Sequence, residues 1–336
     1  MEIISLPEGL KRCRIDYYGA MNARTLFILV LVGILWGASY VFTKVAIAET
    51  SVLTLVTIQT FIGGVAIFAY MRARQVPFIA TSGLWPKAAG MALLNTIIPL
   101  LLVAWAVIRI DAGVAAVLNA TMPLFAALFS ALLLADERLN LSRAGGLIVG
   151  FAGVIVFTNG DIFNLNDSNV VAELAVIAAA ASWGLNAVYA RVVIRTEDPL
   201  TLTGTYFMMA VVILSAILLI FDWPPDARMS AKAWACIASA GALSGALAYI
   251  LFLWLLPRIG AVRAALTSYI VPVAGLFLGW LFLEEKVGVS SVIGTAIIIS
   301  GVALVLQSRA ATPELQLEPE TSLPLGVPAA SEPAAD

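Results

Sequence analysis

The sequence predicts an all-α polytopic membrane protein with ten transmembrane helices, arranged as two inverted five-helix repeats. Hydrophobic residues make up 61% of the 336 residues and charged residues 12%, with a mean hydropathy of +0.99. Soluble domains carry roughly 25% charged residues, so this composition favours a membrane protein. The apolar residues fall into ten stretches, and the second half of the chain repeats motifs of the first about 148 residues later.

Four pairs of motifs recur in the same order in the two halves. Trp36-Gly37 corresponds to Trp183-Gly184, Arg109-Ile110 to Arg258-Ile259, Pro123 to Pro272, and Gly153-Val154 to Gly301-Val302. One match would carry little weight, but four matches at nearly one offset indicate a duplication. Because each copy contains an odd number of crossings, the second copy is expected to lie inverted in the membrane.

Each span is placed where about 20 consecutive residues are predominantly apolar, the length that crosses a bilayer core of about 30 Å. The fifth and tenth spans are the shortest. The expected spans are about 25–47, 52–71, 88–108, 112–134, 144–160, 171–194, 200–221, 233–255, 261–283 and 290–307.

The distribution of basic residues predicts the orientation, because Lys and Arg are enriched in cytoplasmic loops. With a cytoplasmic amino terminus, 14 of the 19 Lys and Arg residues fall on the inner face and 5 on the outer. We therefore expect a multi-pass protein of the cell membrane with both termini cytoplasmic. It comprises a tail over 1–24, a first repeat over 25–160, a second repeat over 171–307, and a tail over 308–336 whose Pro-, Ala- and Glu-rich composition indicates disorder. Met1 and Met21 are both possible starts of translation.

Residue types that serve metal and proton chemistry are scarce. The chain has no histidine and two cysteines, Cys13 in the amino-terminal tail and Cys236 in a span. No Asp or Glu lies deep within an expected span, which disfavours a pump driven by a buried carboxylate. An intramembrane enzyme is a remote alternative, and no cofactor or metal is expected. The net charge of −2 argues against a nucleic-acid partner.

Polar and aromatic residues concentrate near the middle of the spans, where an unsatisfied polar group is costly. Several are related by the repeat, such as Gln59 with Tyr206 and Asn95 with Ser244. A cavity between the repeats would take its lining from such pairs. The alternative is that these side chains hydrogen-bond between helices and stabilise the bundle. The expected substrate-binding residues are Trp36, Tyr40, Gln59, Asn95, Asn119, Trp183, Asn186, Tyr206, Tyr249, Ser268 and Tyr269.

Two prolines and two basic residues also recur at equivalent positions. Pro123 and Pro272 are expected to kink their helices, since proline cannot donate to the carbonyl four residues earlier, and such kinks suit helices that bend during gating. The freed carbonyls could instead contact substrate. Lys44 and Arg191 are expected either to extend toward the lipid headgroups or to lie at the mouths of the cavity, where they would attract an anionic group.

The motifs taken together resemble those of EamA-type transporters of the drug/metabolite transporter superfamily. Trp36-Gly37-Ala38-Ser39-Tyr40 followed by Lys44 is similar to that family's opening helix. Met122-Pro123 running to Asp136-Glu137-Arg138-Leu139, and Val271-Pro272 running to Glu284-Glu285-Lys286, are similar to its fourth-helix signature. The resemblance covers about residues 22–307 and implies ten helices, inverted repeats, and alternating-access movement of small metabolites, often outward. Many members carry an arginine where this chain has Gln59.

The expected function is therefore secondary transport, without ATP, of small polar or amphipathic metabolites such as amino acids or related compounds, as an exporter or exchanger. The partners are a small-molecule substrate and the lipid bilayer, in a monomer or homodimer. A channel or facilitator is an alternative. A nucleotide-sugar or organophosphate exchanger is another, although such substrates usually require several basic residues inside the cavity.

Overall fold

A computed structural model describes residues 21–76, 83–134, 140–158, 167–194, 197–224 and 228–310 of the chain. Most of the two predicted tails and the motif Asp136-Glu137-Arg138-Leu139 lie outside the described residues.

Within these ranges the chain forms ten helices, in agreement with the predicted fold class. Eight are long and apolar enough to cross a membrane, and two shorter apolar helices of 17 residues complete the set. The helices are α1 Ala23–Ile47, α2 Val52–Ala73, α3 Leu84–Ala106, α4 Ala112–Leu133, α5 Leu141–Phe157, α6 Ser168–Val193, α7 Pro199–Phe221, α8 Ala231–Gly260, α9 Thr267–Leu283 and α10 Val289–Ala310.

Short polar side chains mark where several helices begin. Asn22, Ser51, Asn140, Asp198 and Ser230 each accept a hydrogen bond from a backbone amide in the first turn of the following helix. These amides have no partner inside the helix, so the caps fix the start of each apolar run at its polar border.

The structure corrects the prediction of which spans are short. The tenth helix has 22 residues, whereas the fifth and ninth have 17 each. The ninth is shortened because Gly260 adopts a left-handed φ of 75° and a turn at Ala265 and Leu266 precedes Thr267. Both features interrupt the helical hydrogen-bond pattern within an apolar segment, so hydropathy does not reveal them.

The helix packing is unchanged when the two halves are exchanged. Helix α1 packs against α8 and α9, and its counterpart α6 packs against α3 and α4. Helices α2 with α7, α4 with α9, and α5 with α10 pack as counterpart pairs. Since α6 comes five helices after α1, an odd number, the second half runs inverted relative to the first, as the repeat predicts.

The glycine of each Trp-Gly motif allows a close approach between the halves. A methyl group at Gly37 would lie 2.8 Å from Ala274 Cβ in α9, and one at Gly184 would lie 2.7 Å from Phe125 Cβ in α4. Small residues at such contacts let helix backbones approach within the membrane. The motif therefore serves packing in both halves.

Candidate substrate site

The third helix of each half contains a π-helical segment near its middle. These segments span Ala92–Ile97 in α3 and Ala240–Leu247 in α8. Asn95 and Ser244, the pair predicted from the repeat, lie one in each segment. A π-helical turn widens the helix locally and is frequent at functional sites. The duplication thus retains an irregular backbone at the position where the sequence predicts the polar lining.

Proline explains part of this irregularity in α3. Pro99 has no amide hydrogen to donate to the carbonyl of Asn95, four residues earlier. The indole nitrogen of Trp183 in α6 donates to that carbonyl at 2.9 Å. The spacing of Pro99 from Asn95 is therefore the sequence signal for this contact, and the sequence analysis missed it.

The side chain of Asn95 joins three helices. Its Oδ1 accepts a hydrogen bond from Asn186 Nδ2 of α6 at 3.1 Å, and its Nδ2 donates to the Tyr206 hydroxyl of α7 at 3.2 Å. The Tyr206 ring meets the Tyr249 ring edge-on, with centroids 6.2 Å apart. The structure therefore brings together five predicted site residues, Asn95, Trp183, Asn186, Tyr206 and Tyr249, which we call the Asn95 network.

The region related to this network by the repeat is arranged differently. Ser244 of α8 donates to the Leu35 carbonyl of α1 at 2.6 Å. The Trp36 ring packs on Phe252 with centroids 5.2 Å apart. Gln59 of α2 is 6% exposed, and its Oε1 has no hydrogen-bond partner among the described residues. Among the described residues, no hydrogen bond joins the side chains of Ser244, Trp36 and Gln59 to one another.

A third group surrounds the contact of α1 with α4. Tyr40 is 4% exposed, and the amide group of Asn119 interacts with its hydroxyl. The rings of Trp36 and Tyr269 pack, half-buried, against the same hydrophobic cluster. Ser268 is also half-buried. Together with the two regions above, this group accounts for the predicted substrate-binding residues, whose role in binding stays a prediction.

The fourth helix of each half is interrupted near the predicted prolines. A turn at Ala120 and Thr121 divides α4 immediately before Pro123, whereas Pro272 lies inside α9, beyond the turn at Ala265 and Leu266. At each interruption a threonine hydroxyl, of Thr121 or Thr267, donates to the carbonyl three residues earlier at 2.7 or 2.8 Å. The two halves therefore bend at different distances from their prolines. Gating by these residues stays a prediction.

Lys44 lies at the end of α1 and holds the connection between α3 and α4. Its ammonium donates to the carbonyls of Val107 and Ile110 at 2.6 and 2.8 Å. Carbonyls at a helix end have no partner inside the helix, so a cation there is favourable. Any role for Lys44 at a cavity mouth would compete with these two contacts. Its counterpart Arg191 is exposed near the end of α6.

A glutamate from the other half holds the same connection. Glu285, which follows α9, accepts hydrogen bonds from the backbone amides of Ala112 and Gly113 at 2.7 and 2.9 Å. A carboxylate at a helix amino terminus is stabilised by those free amides and by the helix dipole. The acidic end of the fourth-helix signature therefore caps α4 across the interface between the halves.

Several polar residues at helix interfaces escaped the sequence analysis. Ser182 of α6 donates to the Leu94 carbonyl of α3 at 2.8 Å, beside the π-helical segment. Thr57 and Thr60 of α2 are buried, and within the described chain their hydroxyls have no hydrogen-bond partner. Serine and threonine are common in membrane helices, so the residue type alone did not distinguish these three positions from others in the spans.

Two clefts lie away from these residues. One of about 520 Å³ is lined by Trp280, Leu281 and Glu284–Val287, at the end of α9. A second of about 340 Å³ lies along α9 and α10, between Val273 and Thr295, with a mostly apolar lining. The described residues contain no group of three or more His, Cys, Asp and Glu side chains suited to a metal ion.

Comparisons with known proteins agree with this architecture. The model of the EamA-like transporter family matches residues 23–159 and again residues 170–307. The uncharacterized transporter YoaV of Bacillus subtilis is 27% identical over 82% of this chain and 94% of its own length. A probable terminal-alkyne amino-acid exporter of Streptantibioticus cattleyicolor is 24% identical over 84% of this chain and 93% of its own length.

Structural similarity extends over the same part of the chain. A solved crystal structure superposes with a TM-score of 0.62 and 19% identity, covering 84% of this chain and 98% of that one. This likeness shows the shared fold. Because the family model matches both halves, and its members are transporters and not enzymes, this chain is a multi-pass membrane protein that belongs to the EamA-like transporter family.

Proposed function

We propose that the chain is a secondary transporter that moves small polar or amphipathic metabolites, such as amino acids or related compounds, by alternating access as an exporter or exchanger. The observation that carries this proposal is the Asn95 network. It places amide, indole and phenol groups of three helices around a π-helical segment near the middle of the bundle. Aromatic faces supply contact area and amides supply orientation for a small ligand.

The amino-acid class is supported by one relative. The matched exporter of Streptantibioticus cattleyicolor is described as acting on a terminal-alkyne amino acid, and it aligns over 84% of this chain. We infer that the site of this chain lies between the two halves, with Trp36, Tyr40, Asn119 and Tyr269 on the side of α1 and α4. In this proposal both termini are cytoplasmic and the repeats span 25–160 and 171–307.

Counterflow in proteoliposomes tests the proposal. Vesicles loaded with a candidate amino acid should take up its labelled form faster than protein-free vesicles do, and uptake should persist without a proton gradient. This persistence is expected because the Lys, Arg, Asp and Glu side chains of the described helices all lie within about two turns of a helix end. Conductance without saturation would indicate a channel instead, and strict dependence on a proton gradient would contradict the proposed coupling.

A matched pair of variants distinguishes an effect on the proposed site from a general effect on folding. Asn119→Leu should reduce counterflow at least tenfold, because it removes from the proposed site an amide whose oxygen is buried. Ser300→Ala should leave it unchanged, since the exposed Ser300 hydroxyl donates to the carbonyl of Ala296 in its own helix. Equal counterflow by the two variants would contradict the proposed position of the site.

A further inference from the structure

The repeated Arg-Ile motif places an arginine over a tryptophan ring in each half. Arg258 Cζ lies 3.9 Å from the centroid of the Trp254 ring, and Arg109 Cζ lies 4.4 Å from that of Trp105. In both pairs the tryptophan is half-buried and the arginine is exposed. Aromatic rings and basic residues are typical of the border between membrane and water, so one such pair needs no ligand to explain it.

A second arginine distinguishes the Trp254 pair from its counterpart. Arg24, in the first turn of α1, is exposed, and its Cζ lies 5.2 Å from the centroid of the Trp254 ring. The residue equivalent to Arg24 in the second half is Val171, so the repeat places no arginine at that position. Two guanidinium groups therefore share the Trp254 indole, at the end of the bundle where α1 begins and α8 ends.

These two guanidinium groups keep their charge and most of their donors. Among the described residues, neither Arg24 nor Arg258 forms an ion pair. Arg258 Nη1 donates to the Trp254 carbonyl at 2.6 Å, which holds this side chain beside the ring. A guanidinium carries five N–H donors in an arrangement that matches phosphate oxygens. Because the two like charges repel each other, an anion bound between them would be stabilised by both.

The surroundings favour the phosphate of a lipid over a soluble anion. The Trp254 ring packs against a hydrophobic cluster of α1 and α8 that includes Leu29 and Leu255. Phe27 follows Arg24 by three residues, so the two share a face of α1, and its side chain is 66% exposed. A phospholipid could thus place its phosphate at the arginines and an acyl chain along Phe27.

We propose that Arg24, Arg258 and Trp254 form a binding site for the phosphate group of an anionic phospholipid. The arginines bind the phosphate oxygens, and the indole holds the guanidinium groups in place by cation–π contacts. Because Arg24 belongs to the first half and Arg258 to the second, the bound lipid joins the two halves. This site lies on the exposed surface of the bundle, and the inference does not depend on the proposed transport function.

Lipid titrations test the assigned chemical group. The purified full-length protein in neutral detergent is heated with increasing amounts of phosphatidylglycerol, phosphatidylcholine or diacylglycerol that carry the same acyl chains. Phosphatidylglycerol should raise the unfolding temperature by mass action at the lowest concentration. Phosphatidylcholine should be weaker because its choline cation opposes the arginines, and diacylglycerol should have no saturable effect.

Two results of these titrations would overturn the proposal. Equal stabilisation by the three lipids would show that the acyl chains, and not the phosphate, are recognised. Inorganic phosphate is titrated in a separate series. If it stabilised the protein at the same concentrations as phosphatidylglycerol, the site would bind soluble anions and the assignment to a lipid would be wrong.

Variants then test the assigned residues against a control that the repeat supplies. Arg24→Gln and Arg258→Gln should each weaken phosphatidylglycerol binding about tenfold, as loss of a hydrogen bond to a charged group does. Arg109→Gln removes the equivalent arginine over Trp105 and should leave the affinity unchanged. A general attraction of basic residues to anionic lipid would weaken binding alike in all three variants, and that result would overturn the specific site.

Lysine at the same positions separates binding from folding. Arg24→Lys and Arg258→Lys keep the positive charge but lose the paired donors of the guanidinium. Each should bind phosphatidylglycerol more tightly than the glutamine variant and less tightly than the unmodified protein. Native mass spectrometry, which counts lipids retained by the folded protein, gives a second readout for a variant of low stability. Lipid retention by both glutamine variants at the unmodified level would overturn the proposal.

Discussion

The two third helices share a backbone feature and differ in their side chains. Both contain a π-helical segment near the middle. In α3 the segment presents Asn95, which bonds to Asn186 and Tyr206, whereas in α8 it presents Ser244, which makes one bond to a carbonyl. The counterpart of Tyr206 is Gln59, whose oxygen has no partner among the described residues. Duplication thus kept the backbone, while divergence placed a network of side-chain hydrogen bonds around one π-helical segment and a single hydrogen bond to a carbonyl at the other.

This difference indicates that the polar residues around the two π-helical segments have different roles. A side chain whose bonding capacity is used by neighbouring helices stabilises the bundle and has little left for a ligand. A buried oxygen without a donor retains that capacity at a cost of about 1–3 kcal/mol, which a ligand can recover. Under the proposed function, the bonds of Asn95 and Tyr206 hold their helices at the border of the site, whereas the buried oxygens of Gln59 and Asn119 keep bonding capacity that a substrate could use.

The largest expected effect concerns the feature that both halves share. Gly37→Val and Gly184→Val should each destabilise the protein by about 3 kcal/mol, because the added side chain would meet atoms of the facing helix that cannot move freely. Denaturation of the purified protein in detergent would measure both changes. Gly145→Val is the control, since a methyl there would meet no atom within 4 Å. A difference of more than about 1.5 kcal/mol between Gly37→Val and Gly184→Val would contradict equivalent packing in the two halves.

The next effect concerns the feature in which the halves differ. Asn95→Leu should cost about 2 kcal/mol, because it leaves Asn186 without an acceptor and Tyr206 without a donor. Ser244→Ala should cost about 0.6 kcal/mol, the average for one hydrogen bond between membrane helices. Unfolding of the two variants under the conditions used for the glycine variants gives the comparison directly. Equal losses would contradict the prediction, because the Asn95 side chain makes two hydrogen bonds and the Ser244 hydroxyl makes one.

Features that depend on local sequence could be predicted, and those that depend on the path of a neighbouring segment could not. The ten spans and the repeat follow from apolar runs and motif spacing, and so does the concentration of Asn95, Trp183, Asn186 and Tyr206 in one region. The partners of these side chains follow from the π-helical register, which no residue pattern in 92–97 specifies. Likewise, Lys44 was recognisable as a cation at a helix end, but its acceptors belong to the loop between α3 and α4.

The smallest expected effect concerns two glutamates at equivalent positions, whose contacts differ. Glu49 follows α1 and Glu197 follows α6, and each contacts the start of the third helix of the other half. Glu197 pairs with the Lys87 ammonium at 2.7 Å, whereas Glu49 accepts bonds from the backbone amide and hydroxyl of Ser230 at 2.6 and 2.7 Å. One contact joins two charges, and the other joins a charge to neutral donors.

The Glu49 contact predicts a pH dependence of stability. The two bonds from Ser230 lower the pKa of the Glu49 carboxyl below its ordinary value of about 4.3. A carboxyl whose pKa is lower in the folded state contributes stability at pH values above the unfolded pKa, and this contribution is lost as the pH falls through the folded-state pKa. The unfolding temperatures of Glu49→Gln and of the unmodified protein should therefore converge as the pH falls below about 4.3. Ser230→Ala should remove part of this dependence, because it leaves the backbone amide as a donor. A constant difference across that range would show that the carboxylate is not bound to Ser230.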